Sequence, residues 1–439
     1  MTGIPEQVRE ILETLERAGY EAWCVGGAVR DTLLGRRPGD WDVTTNALPE
    51  TVMRLFDGRA LPTGLQHGTV TVGGGRGVEV TTFRRDGDYL DNRHPEHVEF
   101  TGSLTEDLAR RDYTINAIAM DLRGRICDPF DGQADLRREC LRAVGDAAER
   151  FREDALRIMR GLRFAARLGF AVEQKTCEAI HGCRELLENI APERLREELM
   201  GLLQGEHVLP VLMEYPDVLG VFLPEVLPCV GFDQRTRYHC YDVWEHTAQA
   251  VAAASNDPIV RCTMLFHDLG KPDCFTVDED GQGHFYGHWN RSVQLADGIM
   301  QRLRFDNRSR KLILQLVEYH DAPLHDSERG VRRMLAKHGE EALRLLLQIK
   351  RADTVSLAEK FRDRVVQIDL WERLLDDVLA SDCCFSLKSL SVKGNDLMEI
   401  GVTGKEIGTM LQSLLDLVVD GALPNDKAIL MERAKEMRK

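Results

Sequence analysis

The stretch VGGAVRDTLLGRRPGDWDVTT, from Val25 to Thr45, places a glycine pair shortly before a pair of acids. Gly26 and Gly27 follow a strand pattern and precede a helical one, so their backbone N–H groups are placed to hold a phosphate at a helix start. Arg30 lies one turn into that helix and can reach the same phosphate. Asp40 and Asp42 occupy alternate positions of the next strand pattern, and alternate strand positions share one face.

The two acids require a positive partner, because carboxylates side by side repel each other. Mg²⁺ commonly takes one or two carboxylates together with phosphate oxygens of a substrate. A glycine turn, a helix and an acid pair in this order therefore predict nucleotidyl transfer, in which metal ions activate a hydroxyl and stabilise the leaving pyrophosphate. A surface turn with two exposed acids is the alternative.

Bulk composition indicates an ordinary soluble protein. The chain has 439 residues, of which 43% are hydrophobic and 29% charged, which predicts several domains. No apolar run is long enough to span a bilayer, and the N-terminus lacks the features of a signal peptide. The 11 cysteines form no CxxC pair, and Cys383 and Cys384 are adjacent. We therefore expect reduced thiols, a cytoplasmic location and no membrane partner.

Charge is unevenly distributed along the chain. A net charge of -15 argues against nonspecific coating of nucleic acid. Between Arg110 and Arg167, however, every basic residue other than histidine is arginine. Arginine without lysine favours forked recognition of phosphates or bases, with solvated helix faces as the alternative for any single residue.

Periodicity divides the chain into a mixed part and a helical part. Val8, Ile11, Leu12 and Leu15 predict a first helix, and TVTVGGGRGVEVTTFRR predicts a hairpin. After Asp146 we expect helices without strands, interrupted by one long loop in TVDEDGQGHFYGHW. The fold class is therefore α+β, with an N-terminal catalytic domain and an elongated, mostly helical remainder. The predicted segments are a head over 1–145, a neck over 146–205, a body over 206–355 and a tail over 356–439.

Five sequence segments resemble, in order, those of polymerase-β-type nucleotidyltransferases. They are GGAVRDTLLGRRPGDWD, VTTFRRDGDYLDNRHPEHVEF, RRDYTINAIAMD, DPFDGQADL and EDALRIMRGLRFAARLGF. Within that superfamily they are most similar to class II tRNA nucleotidyltransferases (CCA-adding enzymes) and related poly(A) polymerases. The resemblance covers roughly the first half of the chain. It implies that Asp40 and Asp42 bind Mg²⁺ and that Gly27 and Arg30 contact the nucleotide triphosphate. Glu79 is a candidate third acid, with a solvent-facing strand residue as the alternative.

Base selection is predicted for Asp154 and Arg157, which lie three residues apart on a predicted helix. A carboxylate accepts a hydrogen bond from the exocyclic amine that cytosine and adenine share, and a guanidinium donates to the neighbouring ring nitrogen. Guanine and uracil present the reverse pattern. Spacing alone favours a surface salt bridge, but the match to the family's EDxxR motif favours base recognition. The same resemblance implies further nucleotide-site residues, Arg111, Arg160 and Arg163. Asp112 and Asn116 are candidates to brace this site, with a cap or turn residue as the alternative for Asn116.

The segment DGDYLDNRHP, residues 86–95, predicts a mobile loop between strands. In the resembled family such a loop is tied to the switch from C to A addition. Its presence favours complete CCA addition over the addition of CC alone.

A second set of candidate ligands lies in the helical half. Its members are His246, His267, Asp268, His288, His320 and Asp353. Imidazoles and carboxylates from successive helices form metal sites for Mn, Fe, Ni, Co or Mg. The ordered set resembles the HD phosphohydrolase superfamily, which implies hydrolysis of a phosphomonoester or a 2′,3′-cyclic phosphate at an RNA end. A helical body that binds the tRNA elbow and keeps these residues without turnover is the alternative.

Together these features predict template-independent addition of CCA to tRNA 3′ ends from CTP and ATP. The helical segments would hold the acceptor–T arm by its shape and phosphates, and no DNA partner is expected. The alternatives are an enzyme adding only A, a poly(A) polymerase, a protein whose main activity is phosphohydrolysis, and a catalytically silent RNA-binding protein.

Overall fold

The computed structural model describes residues 3–74, 77–87, 98–381 and 385–438. Its contacts divide the chain into two compact units, Met1–Leu227 with Arg302–Arg304, and Pro228–Gln301 with Phe305–Lys439. The finer division into head, neck, body and tail stays a prediction. Cys383, Cys384 and most of the predicted loop, residues 88–95, lie outside the described residues.

The first unit combines a mixed sheet with helices. Its strands are β1 (Ala22–Val25), β2 (Asp42–Thr45), β3 (Ala60–Gly64), β4 (Thr69–Val72), β5 (Val78–Thr82), β6 (Arg84–Asp86), β7 (Val98–Phe100), β8 (Ala119–Met120), β9 (Ile126–Cys127), β10 (Cys140–Leu141) and β11 (Ala171–Val172). Its helices are α1 (Glu6–Arg17), α2 (Gly27–Leu33), α3 (Pro49–Leu55), α4 (Leu104–Ala109), α5 (Gly132–Arg137), α6 (Ala147–Glu153), α7 (Leu156–Leu168), α8 (Gln174–Cys183), α9 (Pro192–Leu203), α10 (Val208–Glu214) and α11 (Pro216–Leu219).

The main sheet has the strand order β3-β4-β5-β2-β1-β8-β9. Strand β2 pairs with β1 in antiparallel and with β5 in parallel orientation. The predicted hairpin is confirmed, because β4 and β5 pair in antiparallel register with the buried Val70 opposite the buried Val80. All four predicted apolar positions of α1 are buried, which confirms the first helix.

The glycine turn forms as predicted between β1 and α2. Gly26 is the N-cap residue of α2 and has a φ of 74°, a backbone conformation that residues other than glycine adopt at a steric cost. Strand β2 begins at Asp42, so Asp40 and Trp41 precede it rather than belonging to it. The turn and the start of β2 are neighbours because Asp42 pairs with Val25, the last residue of β1.

Two expectations about strands are wrong. Residues after Asp146 do form strands: β11 pairs with β10, and the predicted loop contains a hairpin of β12 (Thr276–Val277) and β13 (Gly283–His284). Two-residue strands are too short to show an alternating pattern in sequence. The second hairpin is closed locally, because the carboxylate of Asp278 accepts hydrogen bonds from the backbone of Asp280 and Gln282.

Helices dominate the second unit. They are α12 (Val243–Ala253), α13 (Pro258–Phe266), α14 (His288–Arg302), α15 (Asn307–Tyr319), α16 (Glu328–His338), α17 (Glu340–Val355), α18 (Val365–Ala380), α19 (Gly394–Glu399), α20 (Lys405–Val419) and α21 (Lys427–Arg438). Helix α17 contacts α12, α13, α15, α16 and α18 and is thus central to the unit. Leu397, Leu414, Leu415 and Leu430 form a separate apolar cluster among the last three helices. None of the helices in the described ranges has the length and apolar character needed to cross a bilayer.

Gly161 in α7 allows a close approach of the buried Tyr113. A Cβ at this position would overlap the Tyr113 hydroxyl, which donates to the Arg157 carbonyl at 2.8 Å. We expect Gly161→Ala to lower the free energy of unfolding by about 1–3 kcal/mol, because overpacking outweighs the gain in helix propensity. Urea unfolding would measure the loss.

Gly298→Ala is the matched control, since Gly298 lies inside α14 with open space around it. This substitution should raise the free energy of unfolding by about 0.5–1 kcal/mol. Adding Tyr113→Phe to Gly161→Ala should recover part of the loss. Equal effects of the two glycine substitutions would contradict the packing argument.

Candidate active site and metal cluster

The glycine turn, a carboxylate and a guanidinium meet at the end of β1. A Cβ on Gly26 would lie 3.3 Å from Nη1 of Arg111 and 3.8 Å from Oδ2 of Asp42. Asp42 also stands beside Glu79, its register partner on β5. The structure thus brings together Gly26, Asp42, Glu79 and Arg111, which are widely separated in sequence.

The acids of this site exceed their positive partners. Asp42 is exposed as a whole residue, but partial loss of hydration raises the pKa of its carboxyl; the Arg111 guanidinium acts to lower it, and the nearby Glu79 and Asp40 raise it further. The net shift is upward, with loss of hydration as its largest cause and the two neighbouring acids adding to it. A cluster of hard oxygen donors with a deficit of positive charge fits Mg²⁺.

The Arg111 guanidinium forms an ion pair with the buried carboxylate of Asp107. Its Nη2 lies 3.4 Å from Oδ2 of Asp107, an atom that also accepts a hydrogen bond from the Thr44 hydroxyl of β2 at 3.1 Å. The Nε of Arg111 is buried and has no hydrogen-bond partner among the described residues. Sequence reasoning missed Asp107, which has no motif of its own and is recognisable only through its contacts.

A hydrogen-bonded chain links α2 to α7. Arg30 donates from Nη1 to Oδ1 of Asn116 at 2.9 Å, and Asn116 donates to Oδ1 of Asp112 at 3.2 Å. Arg160 donates from Nε to Oδ2 of Asp112 at 2.8 Å, and the Tyr113 backbone N–H donates to Oδ1 at 2.8 Å. Asp112 and Asn116 therefore connect two of the predicted nucleotide-site arginines.

Phe164 is the centre of an arginine cluster that sequence reasoning missed. The guanidinium carbons of Arg30, Arg160 and Arg163 lie 5.4, 5.5 and 5.0 Å from its ring centroid. The residue is only 7% exposed, and each of the three distances is within the range of a cation–π contact. In the sequence, Phe164 has the pattern of an ordinary buried helix residue. The available signal for an arginine cluster was its position, four residues after Arg160 and one after Arg163.

Asp154 and Arg157 do not lie on one helix, contrary to the prediction. Helix α6 ends at Glu153 and α7 starts at Leu156, with Asp154 in extended conformation between them. The Asp154 carboxylate accepts from the backbone N–H of Leu156 at 3.1 Å, and such side-chain caps favour a helix boundary.

The two predicted base-reading side chains have different partners in this structure. Oδ2 of Asp154 lies 3.5 Å from Nη2 of Arg194. Arg157 is buried and donates from Nη1 to Oε2 of Glu153 at 2.6 Å and from Nη2 to the Arg110 carbonyl at 2.9 Å. A direct Asp154–Arg157 pair is therefore not part of the described geometry.

All six predicted ligands converge in the second unit. They come from or beside five helices: His246 from α12, His267 and Asp268 just after α13, His288 from α14, His320 just after α15, and Asp353 from α17. Nε2 of His246 lies 3.0 Å from Oδ1 of Asp353, and Nε2 of His267 lies 3.1 Å from Oδ2 of Asp268. On the other side of Asp268, Oδ1 lies 3.3 Å from Nε2 of His288 and 3.7 Å from that of His320.

Three imidazoles are oriented for metal binding by their outer nitrogens. The Nδ1 atoms of His267, His288 and His320 lie 2.7, 2.9 and 2.7 Å from the carbonyls of Met264, Phe285 and Val317. An imidazole that donates from Nδ1 and is neutral presents the Nε2 lone pair.

The inward nitrogens face one another at short distances. Nε2 of His288 is 3.3 Å from Nε2 of His320, and Nε2 of His246 is 3.4 Å from Nε2 of His267. Burial and the neighbouring His267 together lower the pKa of His320 to about 3, so this ring is neutral at neutral pH. Opposed lone pairs repel unless a proton or a cation lies between them. The donor set therefore fits divalent metal, with Asp268 shared between two groups of ligands.

Close relatives extend over the whole chain. The CCA-adding enzyme of Lactobacillus delbrueckii subsp. bulgaricus is 50% identical over 98% of both chains. That of Levilactobacillus brevis is 36% identical over 97% of this chain and 96% of its own. This chain belongs to the CCA-adding enzyme family.

Family models and a solved structure agree with this membership. The poly A polymerase head domain matches residues 22–142, the probable RNA and SrmB-binding site of polymerase A matches 169–228, and the putative tRNA nucleotidyltransferase domain 2 matches 288–434. The crystal structure of the Bacillus stearothermophilus CCA-adding enzyme in complex with CTP has a TM-score of 0.76 and 31% identity, covering 99% of this chain and 98% of that one. The predicted α+β class, with a nucleotidyltransferase head and a helical remainder, is confirmed. The HD-type site stays a prediction.

The Asp112–Arg160 ion pair stabilises the CCA-adding enzyme fold in a pH-dependent manner. Burial opposes ionisation of Asp112, but Arg160 and the Tyr113 N–H outweigh it and lower the pKa to about 2. A carboxyl with a depressed folded-state pKa stabilises the fold above its unfolded pKa of about 3.9, and this contribution is lost as the pH falls toward 2.

We expect Asp112→Asn to lower the free energy of unfolding by about 1–2 kcal/mol at neutral pH, a value discounted because the Arg160 side chain is 36% exposed. The difference from the unsubstituted protein should shrink at about pH 3. Denaturant unfolding at both pH values measures it, with Asp280→Asn on the exposed β12–β13 turn as the control. A loss of the same size at both pH values would refute the ion-pair explanation.

Proposed function

We propose that this protein adds C, C and A in sequence to the 3′ end of tRNA, using CTP and ATP. The observation that carries the proposal is the meeting of Asp42, Arg111 and the Gly26 turn at the start of α2. Membership of the CCA-adding enzyme family supports the nature of the substrates. A cytoplasmic location, tRNA rather than DNA as the partner and the absence of a membrane partner belong to the same proposal.

Asp40 and Asp42 would hold Mg²⁺, with Glu79 as a third carboxylate nearby. When bound, the metal lowers the pKa of an attacking hydroxyl and offsets negative charge on a triphosphate. The tRNA 3′-oxygen attacks the α-phosphorus of the nucleotide, the bond from that phosphorus to the bridging oxygen of the β-phosphate breaks, and pyrophosphate leaves.

The chain's own groups orient the triphosphate. Gly27 is the first residue of α2, and its backbone N–H can donate a hydrogen bond to a phosphate, as is common at helix N-termini. Arg30 is held by Asn116, and Arg111 by Asp107, so both guanidiniums are positioned before substrate arrives. The Nε of Arg111 is buried and has no hydrogen-bond partner among the described residues, which supports a role for this residue as a hydrogen-bond donor to the triphosphate.

Base selection would fall to Asp154 and Arg157, with Arg160 and Arg163 beside Phe164 lining the same site. Reading a base requires Arg157 to release Glu153 and Asp154 to release Arg194. A base with the wrong edge would leave buried groups unpaired, which costs about 1–3 kcal/mol per group. Glu153 and Arg194 thus serve as resting partners for the two base-reading side chains.

The neck, body and tail helices are proposed to hold the tRNA acceptor–T arm. RNA helices are recognised mainly by shape and by phosphate and 2′-hydroxyl contacts. The segment 86–95, on which the choice of complete CCA addition partly depends, falls largely outside the described residues. Addition of A alone is therefore distinguished by experiment rather than by geometry.

Asp42→Asn should abolish nucleotide addition, with at least a thousandfold loss, since it removes a metal-binding carboxylate without changing shape. The assay is incorporation of CMP into a tRNA transcript that lacks CCA, supplied with CTP alone. Because partial loss of hydration and neighbouring acids raise the pKa of Asp42, removing its charge should leave thermal stability in EDTA unchanged or increased.

Asp57→Asn on the exposed surface is the control and should retain full incorporation. Incorporation by the unsubstituted protein with CTP alone also separates CCA addition from addition of A only. If the unsubstituted protein adds AMP but no CMP, complete CCA addition is excluded. If Asp42→Asn retains CMP addition, the assignment of the catalytic acids fails.

A second activity, metal-dependent phosphohydrolysis, is favoured by the four histidines and two aspartates in the second unit. His246, His267, Asp268 and Asp353 would hold one divalent ion, and Asp268, His288 and His320 a second. Metal bound there would supply a hydroxide at neutral pH and neutralise charge on a phosphoester. Asp268 and Asp353 carry the negative charge that retains the cations, and the backbone carbonyls keep the rings aligned.

His267→Gln should remove bound metal and hydrolysis but retain CMP addition, because its ring lies between Asp268 and His246. Elemental analysis after incubation with Mn²⁺ gives the metal content, and release of product from 2′,3′-cyclic CMP gives the activity. His325→Gln, in a segment outside the cluster, is the control. If the His267→Gln protein still binds metal fully, His267 is not a ligand. If the unsubstituted protein binds no metal, the cluster has only a structural role in the helical body.

A further inference from the structure

A cavity of about 410 Å³ opens above the histidine cluster in the second unit. Its lining includes ligands of the cluster, Asp268, His288 and Asp353, together with the aromatic side chains Tyr238, Tyr286 and Trp289. We propose that this cavity binds the terminal nucleotide of an RNA, with the phosphate at the cluster and the base stacked on Tyr286. The inference deepens the proposed phosphohydrolase and rests on it for the position of the phosphate.

Tyr286 presents its ring to solvent and is held in place from one side. The residue is 76% exposed, the largest exposure among the large hydrophobic and aromatic side chains of the described residues. Its ring stacks on His284 with a centroid distance of 5.3 Å and an interplanar angle of 6°. Nε2 of His284 lies 2.8 Å from Oδ2 of Asp278, which fixes the imidazole in turn. One face of a tyrosine ring is thus pre-oriented and available.

Exposed aromatic rings suit nucleobases because every base has a π-face. Stacking on aromatic side chains tolerates any base sequence and contributes substantially to single-strand binding. The position of Tyr286 on the β12–β13 side of the cavity places this platform beside the cluster rather than within it. Tyr286 follows this hairpin by two residues, and its ring distinguishes a nucleotide pocket from a site for phosphate alone.

Charge in the cavity makes phosphate binding depend on a bound metal. The carboxylates of Asp268, Asp321 and Asp353 outnumber the cations of Lys271 and Arg364 in the lining. A phosphate would be repelled at this end unless metal is bound, so phosphate binding depends on the metal. A volume of about 410 Å³ lies within the range of about 300–1,000 Å³ for small-molecule sites.

Photo-cross-linking tests the base platform without requiring turnover. The full-length protein is irradiated with 5-iodouridine 3′-monophosphate in the presence of Mn²⁺, and the cross-linked peptides are identified by mass spectrometry. We expect a saturable cross-link in the peptide that contains Tyr286, dependent on Mn²⁺. Tyr286→Leu should lose it and Tyr286→Phe should keep it, because phenylalanine preserves the stacking face. Cross-links in the first unit fall on other peptides and do not interfere.

Kinetics give a second readout with a matched pair of probes. For 2′,3′-cyclic CMP, Tyr286→Leu should raise KM about tenfold with little change in kcat, and Tyr286→Phe should leave both unchanged. For the 2′,3′-cyclic phosphate of 1-O-methylribose, which has the same ester but no base, neither variant should alter KM. Because the side chain is exposed, both variants are expected to fold.

The outcomes separate the platform from the hydrolase. A cross-link at Tyr286 without hydrolysis supports the nucleotide site and removes the phosphohydrolase activity. Hydrolysis with equal KM values for the two probes, or with no effect of Tyr286→Leu, supports the hydrolase and overturns the platform. Absence of a saturable cross-link at Tyr286 in the Mn²⁺-loaded protein also overturns it.

Discussion

One buried carboxylate, that of Asp112, connects helix α2 to helix α7 in the candidate active site. It accepts hydrogen bonds from Arg160 of α7, from Asn116 and from the Tyr113 backbone, and Asn116 in turn holds Arg30 of α2. Helix α2 starts at the glycine turn and carries Arg30, and α7 carries Phe164 with Arg160 and Arg163. The relative position of these two helices therefore depends on an ion pair that is mostly removed from water, where loss of one partner leaves an uncompensated charge.

Both candidate sites share a physical feature that ordinary fold stabilisation does not explain. At Asp42 three acids face one arginine, and in the second unit pairs of imidazole nitrogens face each other at 3.3 and 3.4 Å. Each arrangement brings groups together that repel one another, and a divalent cation bound between them would offset this repulsion. Electrostatic repulsion of this kind is typical of sites maintained for chemistry.

Sequence patterns predicted the parts of the molecule that depend on local periodicity or on strong chemical types. The four buried positions of α1, the β4–β5 hairpin and the six converging ligands were all accessible in this way. Contacts between distant segments were not, which is why Asp107 behind Arg111 and Phe164 among three arginines were missed. The Asp154 boundary was missed for another reason: the residues around it have a helical pattern, and only the side-chain cap on the Leu156 N–H interrupts it.

The two proposed activities are chemically complementary. Nucleotidyl transfer requires a free 3′-hydroxyl as the attacking group, so a 3′-phosphate or a 2′,3′-cyclic phosphate at the RNA end blocks it. Hydrolysis of a 3′-phosphoester places the proton of water on the departing 3′-oxygen and thereby yields the hydroxyl that the first unit uses. Stacking of the base on Tyr286 would favour ends that carry an unpaired terminal nucleotide, which are the ends on which a template-independent transferase acts.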